Sequence, residues 1–166
     1  MGKLLTLSLL FILAACQSEP KDPLQYVELV TKGKEVVKTT MAVTAKDQEK
    51  GLSGTQSADW DDDQGMLFFY LEDSELAFWM PDTYFDLDIF YLDKDLKVVD
   101  VVRKVPHFVG KTPYANIPRV RPVWARHVLE MKTGSSISDS IKVGDSLQLQ
   151  SPMTLQQIES KIRQQR

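Results

Sequence analysis

Apolar residues are concentrated between Gly65 and Leu92, where short apolar runs alternate with polar segments. In the run from Met66 to Leu71 neither face is polar, and the run is too short for a typical helix, so it is typical of a buried strand. We expect turns at the acidic segment Glu72 to Glu75 and at Pro81 to Thr83. The stretch therefore predicts the core of the protein.

Further strands are predicted on both sides of this core. Tyr26 to Val30 alternates between apolar and polar residues, and the turn signal Lys32-Gly33-Lys34 separates it from a second strand at Glu35 to Val43, which predicts a hairpin. Later strands are predicted at Lys97 to Arg103, Trp124 to Met131 and Ser146 to Gln150.

Two helices are predicted. Thr44 followed by Asp47 is typical of an N-cap, and Gly51 ends the short helix that follows. The second helix is predicted in the C-terminal tail that begins at Pro152. The apolar residues of this tail, Leu155, Ile158 and Ile162, share one helical face.

These elements predict a mainly β fold for residues 26–150, either a small antiparallel barrel or a two-layer sandwich, with one short helix. Residues 151–166 add a C-terminal amphipathic helix. Alternating helix–strand units are missing from the pattern, which argues against a doubly wound parallel sheet.

The segment from Val105 to Val123 has neither helical nor strand periodicity and contains four prolines, at positions 106, 113, 118 and 122. Loops of this length inside a small domain are usually functional or disordered. We therefore predict a long structured loop at this point.

The N-terminus has the features of a signal peptide, predicted at residues 1–15. Lys3 precedes an apolar run from Leu4 to Leu13, which is far shorter than the ~20 residues a membrane-spanning helix needs. The Leu-Ala-Ala-Cys sequence that follows resembles a bacterial lipobox, which implies lipidation of Cys16. Gln17 after the cysteine favours the outer membrane, with the domain facing the periplasm. Residues 16–25 then form the lipidated cysteine and a polar tether.

Composition excludes several classes of function. The formal net charge is −3, and no basic stripe indicates a nucleic-acid partner. Cys16 is the single cysteine, so neither disulfides nor a catalytic thiol are expected. The serine nucleophile elbow and the glycine-rich nucleotide motifs are missing, and we predict no cofactor.

No metal site is predicted. Carboxylates at positions 59, 61 and 63 resemble the start of a calcium loop, but Gln64 and Tyr70 stand where that loop needs glycine and a closing acid. A solvated acidic loop is the favoured interpretation. His107 and His127 match no zinc spacing, and we expect His127 to be a hydrogen-bonded strand residue.

Asp86 and Asp88 are two residues apart, so in a strand they would share a face that continues with Phe90. One interpretation is a carboxylate pair for acid/base chemistry or cation binding. The favoured one is structural: Asp86 caps the turn that begins at Pro81. Asp88 then either accepts hydrogen bonds from backbone N–H groups or pairs with one of three arginines, Arg103, Arg119 or Arg126.

Trp79 is the aromatic residue predicted to line a pocket. Phe78 and Met80 share the opposite face and are predicted to be buried.

Several short motifs follow one another in a recognisable order, namely Gly51-Leu52, Gly65-Met66-Leu67-Phe68, Phe78-Trp79-Met80, Leu87-Asp88-Ile89-Phe90, Val128-Leu129-Glu130 and Gly144-Asp145. With these motifs the chain resembles the domain of unknown function 192 family from about Val36 to Gln150. The resemblance implies a single compact β-rich domain and no established activity. Its matching polar positions are Trp79, Thr83, Asp88 and Glu130. Pro81-Asp82 and Asp86 depart from the family pattern.

Three functions follow as hypotheses. The favoured one is a non-catalytic binding or interaction module for a periplasmic small molecule, glycan or peptide. The alternatives are a hydrolase that uses Asp86 and Asp88, and an envelope-structural protein that docks a partner. We predict the binding site where the turn from Pro81 to Asp88 meets the Val105 to Val123 loop. Its predicted ligand-binding residues are Trp79, Thr83, Asp86, Asp88 and Glu130, with Arg119 or Arg121 as counter-charges.

Overall fold

The computed structural model describes residues 22–165, so the predicted signal peptide, Cys16 and most of the tether lie outside the described residues. The strands are β1 (Tyr26–Val30), β2 (Val36–Ala42), β3 (Gln64–Leu76), β4 (Leu87–Leu92), β5 (Val98–Val105), β6 (Val123–Lys132) and β7 (Gln148–Gln150). The helices are α1 (Ala45–Lys50), α2 (Ser136–Ser140) and α3 (Leu155–Gln164). None of the helices between residues 22 and 165 is both long and apolar enough to cross a membrane.

The strands form one sheet in the order β5-β4-β6-β3-β2-β1-β7. All neighbouring pairs are antiparallel except β2 and β3, which run parallel. An isolated bridge joins Lys97 to Ser146, but the sheet does not close into a barrel. The predicted mainly β class is confirmed, and of the two predicted architectures the sandwich is consistent with the structure.

Alternation along the central strands gives the sheet two apolar faces. On β3, Leu67, Phe69 and Leu71 belong to one cluster, whereas Phe68 belongs to the other. Helix α3 covers the first face, and its Ile158 is fully buried there. The predicted apolar stripe of the tail helix is therefore confirmed.

Loops cover the second face of the sheet. Met80 N donates to Pro118 O at 3.1 Å, and Thr83 N donates to Phe108 O at 2.9 Å. These bonds join the segment that precedes β4 to the loop between β5 and β6. The two segments that the sequence predicts to meet are therefore in contact.

Helix α1 is capped as predicted. The Thr44 hydroxyl accepts from Asp47 N at 3.1 Å, and Gly51 ends the helix with φ +48°. Gln48 Nε2 donates to two sheet carbonyls, Ala42 O at 3.2 Å and Phe69 O at 3.1 Å. These bonds fix α1 against the edge of the second face.

Two local predictions are wrong. The acidic segment from Glu72 to Glu75 is no turn but lies inside β3. The register shifts there, so that residues 70–73 of β3 stand opposite one residue of β6, Arg126. This irregularity lets the acids face solvent without ending the strand, and Arg126 Nε donates to Asp73 at 2.6 Å. The pair Asp86 and Asp88 also does not share a strand, because β4 begins at Leu87.

Candidate functional site

A narrow cavity of about 40 Å³ lies on the second face, between α1 and the loop that precedes β4. Two of its lining residues come from central strands, Phe68 from β3 and Glu130 from β6. The remaining lining residues are Gln48, Glu49, Lys50, Gly51, Leu52, Ser53, Phe78, Trp79, Pro81 and Thr83.

Gly51 makes the close approach between α1 and the sheet possible. Its φ of +48° favours glycine, and a Cβ at this position would lie 3.2 Å from Phe68 Cζ. Beyond it, Gly54 N donates to Asp82 O at 2.8 Å, which ties the turn after α1 to the opposite wall. Backbone bonds therefore hold both walls of the cavity in place.

Trp79 stands at the mouth of this cavity and is 39% exposed. Its ring stacks on Tyr114 with centroids 6.1 Å apart, and Arg119 Cζ lies 5.2 Å from the ring centroid. Trp79 also lines two wider hollows, of about 400 Å³ and about 770 Å³. The wider groove of about 400 Å³ is lined by Lys46, Glu49, Lys50, Ser53, Trp79, Pro81, Asp82, Lys111 and Tyr114. We call it the rim groove.

Glu130 is a carboxylic acid placed on the apolar second face. It pairs with Met66 of β3 and Ile89 of β4, and only 4% of it is exposed. Among residues 22–165 its carboxyl has neither a hydrogen-bond donor nor an ion-pair partner. Burial raises the pKa of Glu130 to about 8. The side chain is therefore mostly protonated at neutral pH.

The polar groups nearest to Glu130 do not compensate for its burial. Lys132 follows two residues later, but its ammonium donates to the carbonyls of Ser57 and Trp60. Burial raises the pKa of Tyr70 to about 12, and the Glu130 charge adds to this shift. The Tyr91 hydroxyl is buried and has no hydrogen-bond partner within the described part of the chain.

Thr83 contributes a hydroxyl to the same cavity. The residue is buried, and its Oγ1 donates to Pro81 O over a long 3.4 Å. A hydrogen bond at this distance is weak, so the hydroxyl can turn towards a bound group.

A match to a family model shows which family the chain belongs to. The model of the DUF192 family, described as "Uncharacterized ACR", matches residues 27–149. The chain belongs to the DUF192 family. The resemblance found in the sequence motifs is therefore confirmed.

Two solved structures share the fold of this DUF192 protein. One is titled a "putative transcription regulator" from Sinorhizobium meliloti 1021, with a TM-score of 0.57 and 24% identity over 75% of this chain and 92% of that one. The other is a protein of unknown function from Novosphingobium aromaticivorans DSM 12444, with a TM-score of 0.59 and 23% identity over 74% and 83%. No curated protein matches the chain significantly.

Asp88 is held in a separate, fully engaged polar cluster. Its carboxylate accepts from Ser138 Oγ at 2.6 Å and from Arg103 Nη1 at 2.9 Å. It also accepts from Lys104 N at 2.8 Å and from Thr133 Oγ1 at 3.0 Å. Burial alone would raise the pKa of Asp88, but these hydrogen bonds outweigh it and lower the pKa.

Asp86 has different partners. Its Oδ1 accepts from His107 N at 2.9 Å and lies 2.7 Å from His107 Nδ1, and these bonds from His107 lower the pKa of Asp86. Arg121 is paired with Asp100, and Arg119 packs on Trp79. Neither arginine is therefore a counter-charge for Asp86 or Asp88, and the two carboxylates do not form an acid/base pair.

The remaining side chains that could bind a metal ion lie apart from one another. Within residues 22–165, no three His, Asp or Glu side chains are grouped as a metal site requires. His127 is buried in its strand, and its Nδ1 accepts from Tyr70 N at 3.3 Å. In the acidic loop, Asp63 pairs with Lys38 at 2.6 Å.

Of the five predicted ligand-binding residues, the structure brings Trp79, Thr83 and Glu130 to one cavity. Asp86 and Asp88 do not line it. Sequence reasoning missed Phe68 and Lys50 as lining residues. A usable signal was present for Glu130, since it is an acid flanked by Leu129 and Met131 in an apolar strand.

Proposed function

We propose that this DUF192 protein is a non-catalytic binding module whose ligand enters the cavity beneath Trp79. The observation that carries the proposal is the buried Glu130 carboxyl, which lines the cavity without a protein partner. Its oxygens are not among the fully buried polar atoms of residues 22–165 that lack a partner, so they are reachable from the cavity, and a ligand group that donates to them supplies the hydrogen bonds that the protein does not. Fixed walls and an exposed aromatic mouth are also features of small-molecule sites.

The geometry gives no support to a hydrolase or to a partner that docks on the tail helix. A hydrolase would need a carboxylate free to exchange protons with a substrate, whereas all of the Asp88 contacts are structural. A partner that docks on the tail helix would need its apolar face, but Ile158 and Ile162 bury that face in the core. The similar Sinorhizobium meliloti protein is named a transcription regulator, but the net charge of −3 without a basic stripe does not favour a nucleic-acid partner for this chain.

We further propose that Cys16 carries a lipid anchor in the cell envelope, and that the domain faces the periplasm from the outer membrane. Lys3, the apolar run and the Leu-Ala-Ala-Cys sequence support this location. The polar residues after Cys16 would connect this anchor to the domain. Because Leu24 is buried in the first apolar cluster, the connection ends before Leu24 and not at residue 25 as predicted.

Thermal unfolding of the purified full-length protein tests the binding role. Amino acids, amines, sugars and short peptides are screened, because a compound that binds only the folded state raises its apparent stability. Trp79→Ala should abolish the stabilisation by any hit, whereas Trp124→Ala, at an exposed tryptophan that does not line the cavity, should leave it unchanged. A screen without hits, or hits that survive Trp79→Ala, would contradict the proposal.

Mass spectrometry tests the anchor. The wild-type protein should be found in the membrane fraction with the mass of a lipidated, processed chain. Cys16→Ala should remove the lipid mass and release the protein from that fraction. If the wild-type protein and Cys16→Ala have the same mass apart from the substitution and are found in the same fraction, Cys16 does not carry the lipid anchor.

A further inference from the structure

We propose that the ligand is a small zwitterion, with a primary ammonium group that enters the cavity to Glu130 and an anionic group that stays at the lysines of the rim groove. The inference rests on the proposed binding function and names the chemical class of its ligand.

The floor of the cavity favours a cation. Glu130 is the buried acid among its lining residues, which also include Glu49 and Lys50 of α1. The aromatic side chains of Phe68, Phe78 and Trp79 line the same space. The rings of Phe68 and Phe78 meet edge to face with centroids 4.8 Å apart. An ammonium group gains both a charged hydrogen bond to a carboxylate and attraction to aromatic faces, and each gain increases when water is excluded.

The size of the cavity restricts what can reach Glu130. At about 40 Å³ it is much narrower than the rim groove of about 400 Å³, so it favours a small terminal group such as the head of a primary amine. The remainder of such a ligand would lie in the rim groove under Trp79.

The rim groove has the opposite charge. Lys46, Lys50 and Lys111 line it, and within residues 22–165 none of the three ammonium groups has an ion-pair partner. The two acids of the groove, Glu49 and Asp82, leave it with an excess of one positive charge. Cationic side chains without partners at the mouth and a carboxyl without a partner at the floor complement a ligand with an anionic and a cationic end.

Binding of an ammonium group must release a proton. The Glu130 carboxyl is mostly protonated at neutral pH, and it has to ionise to pair with a cation. A neutral hydroxyl ligand would bind the protonated acid and release none. The titratable and charged groups around Glu130 are Tyr70 of β3, Tyr91 of β4, Lys132 of β6, Glu49 and Lys50 of α1, Asp82 of the loop, and Lys111 and Arg119 at the rim.

Isothermal titration calorimetry of the purified full-length protein tests the inference. The probes are the unbranched ω-amino acids from glycine to aminohexanoate, with butylamine and butyrate as compounds that lack one of the two charges. At least one ω-amino acid should bind, and at about pH 6 buffers of different ionisation enthalpy should show release of about one proton. Because a raised pKa of about 8 leaves ~1% of the carboxyl ionised at pH 6 and half at pH 8, affinity should rise by on the order of 50-fold between them.

Two variants locate the charges. Glu130→Gln should weaken the best probe at least tenfold and abolish proton release, whereas Glu75→Gln, at an exposed acid of β3, should change neither. Lys111→Gln, at a lysine that lines the rim groove but not the narrow cavity, should weaken the zwitterion several-fold and leave butylamine unaffected. Absence of binding by every ω-amino acid, binding without proton release, or full binding to Glu130→Gln would overturn the inference. If a neutral compound binds in a Trp79-dependent manner while the ω-amino acids do not, the binding function stands and the zwitterion is wrong.

Discussion

The Arg103 guanidinium donates a 2.9 Å hydrogen bond to Asp88, and it also donates to the backbone oxygens of Ser138 and Ile141. One arginine thus ties β4 to the segment around α2. Only 1% of the Asp88 side chain is exposed, compared with 30% of the Arg103 side chain. The pair is therefore a structural link between strand and helix.

Asp88→Asn should destabilise the fold by about 2–4 kcal/mol, because it leaves a half-buried guanidinium without its anion. Asp86→Asn is the matched control, and at this exposed site the loss should be below about 1 kcal/mol. Urea unfolding of both variants measures the difference. Equal effects would contradict a structural role that is specific to Asp88.

Glu130 should make the protein less stable as pH rises. Its pKa is about 8 in the folded chain and ordinary in the unfolded chain, so between about pH 4.5 and 8 the folded state holds a proton that the unfolded state has lost. The free energy of unfolding should therefore fall over this range and level off above it. Glu130→Gln should remove the slope and raise stability at about pH 9 by roughly 3–5 kcal/mol. If the free energy of unfolding of this variant still falls between about pH 4.5 and 8, Glu130 is not the cause of the pH dependence and the prediction is wrong.

His127 should give the opposite pH dependence of stability. Burial lowers its pKa to about 3, so between about pH 6.5 and 3 the unfolded state binds a proton that the folded state does not. Stability should fall as pH falls through this range. His127→Gln retains an acceptor for Tyr70 N and should flatten the acid limb of an unfolding curve. An imidazole that protonates near pH 6.5 in NMR spectra of the folded protein would contradict this account.

Gly51→Ala should close part of the cavity and destabilise the domain by about 1–2 kcal/mol, because the new Cβ meets Phe68 and the backbone has φ +48°. Gly134→Ala is the control, since Gly134 also has a positive φ but no atom lies within 4 Å of its Cβ position. Thermal unfolding should show the larger loss for Gly51→Ala. Equal losses of stability in the two variants would mean that the contact of the new Cβ with Phe68 costs nothing, which would contradict the prediction.

Local sequence signals predicted most of the elements. The cap at Thr44, the stop at Gly51 and the apolar stripe of α3 depend on neighbours within one or two helical turns, and each is present in the structure. The acidic segment in β3 was misread as a turn, because its exposure is set by the bulge opposite Arg126. The parallel pairing of β2 with β3 also depends on contacts distant in sequence, which periodicity does not encode.

The candidate site was only partly predictable for the same reason. The meeting of the two loops followed from their composition, and Trp79 followed from alternation. Composition and periodicity did not indicate which acid lines the cavity, because Asp86 and Asp88 are closest in sequence to Trp79. Glu130 entered the predicted site only through the family resemblance, and in the structure it reaches the cavity from β6, which is adjacent to β4 in the sheet. The identity of the lining acid is a property of sheet order, and that order comes from tertiary packing.

The most direct test of the central claim is the titration of the Glu130 carboxyl carbon by NMR in the full-length protein, with Glu130→Gln to assign the signal. The account predicts a midpoint near pH 8 in the free protein, and an ionised carboxyl at neutral pH when the best ω-amino acid is bound. A midpoint near the ordinary value of about 4.5 in the free protein would contradict it, because Glu130 would then already be ionised and solvated or paired without a ligand.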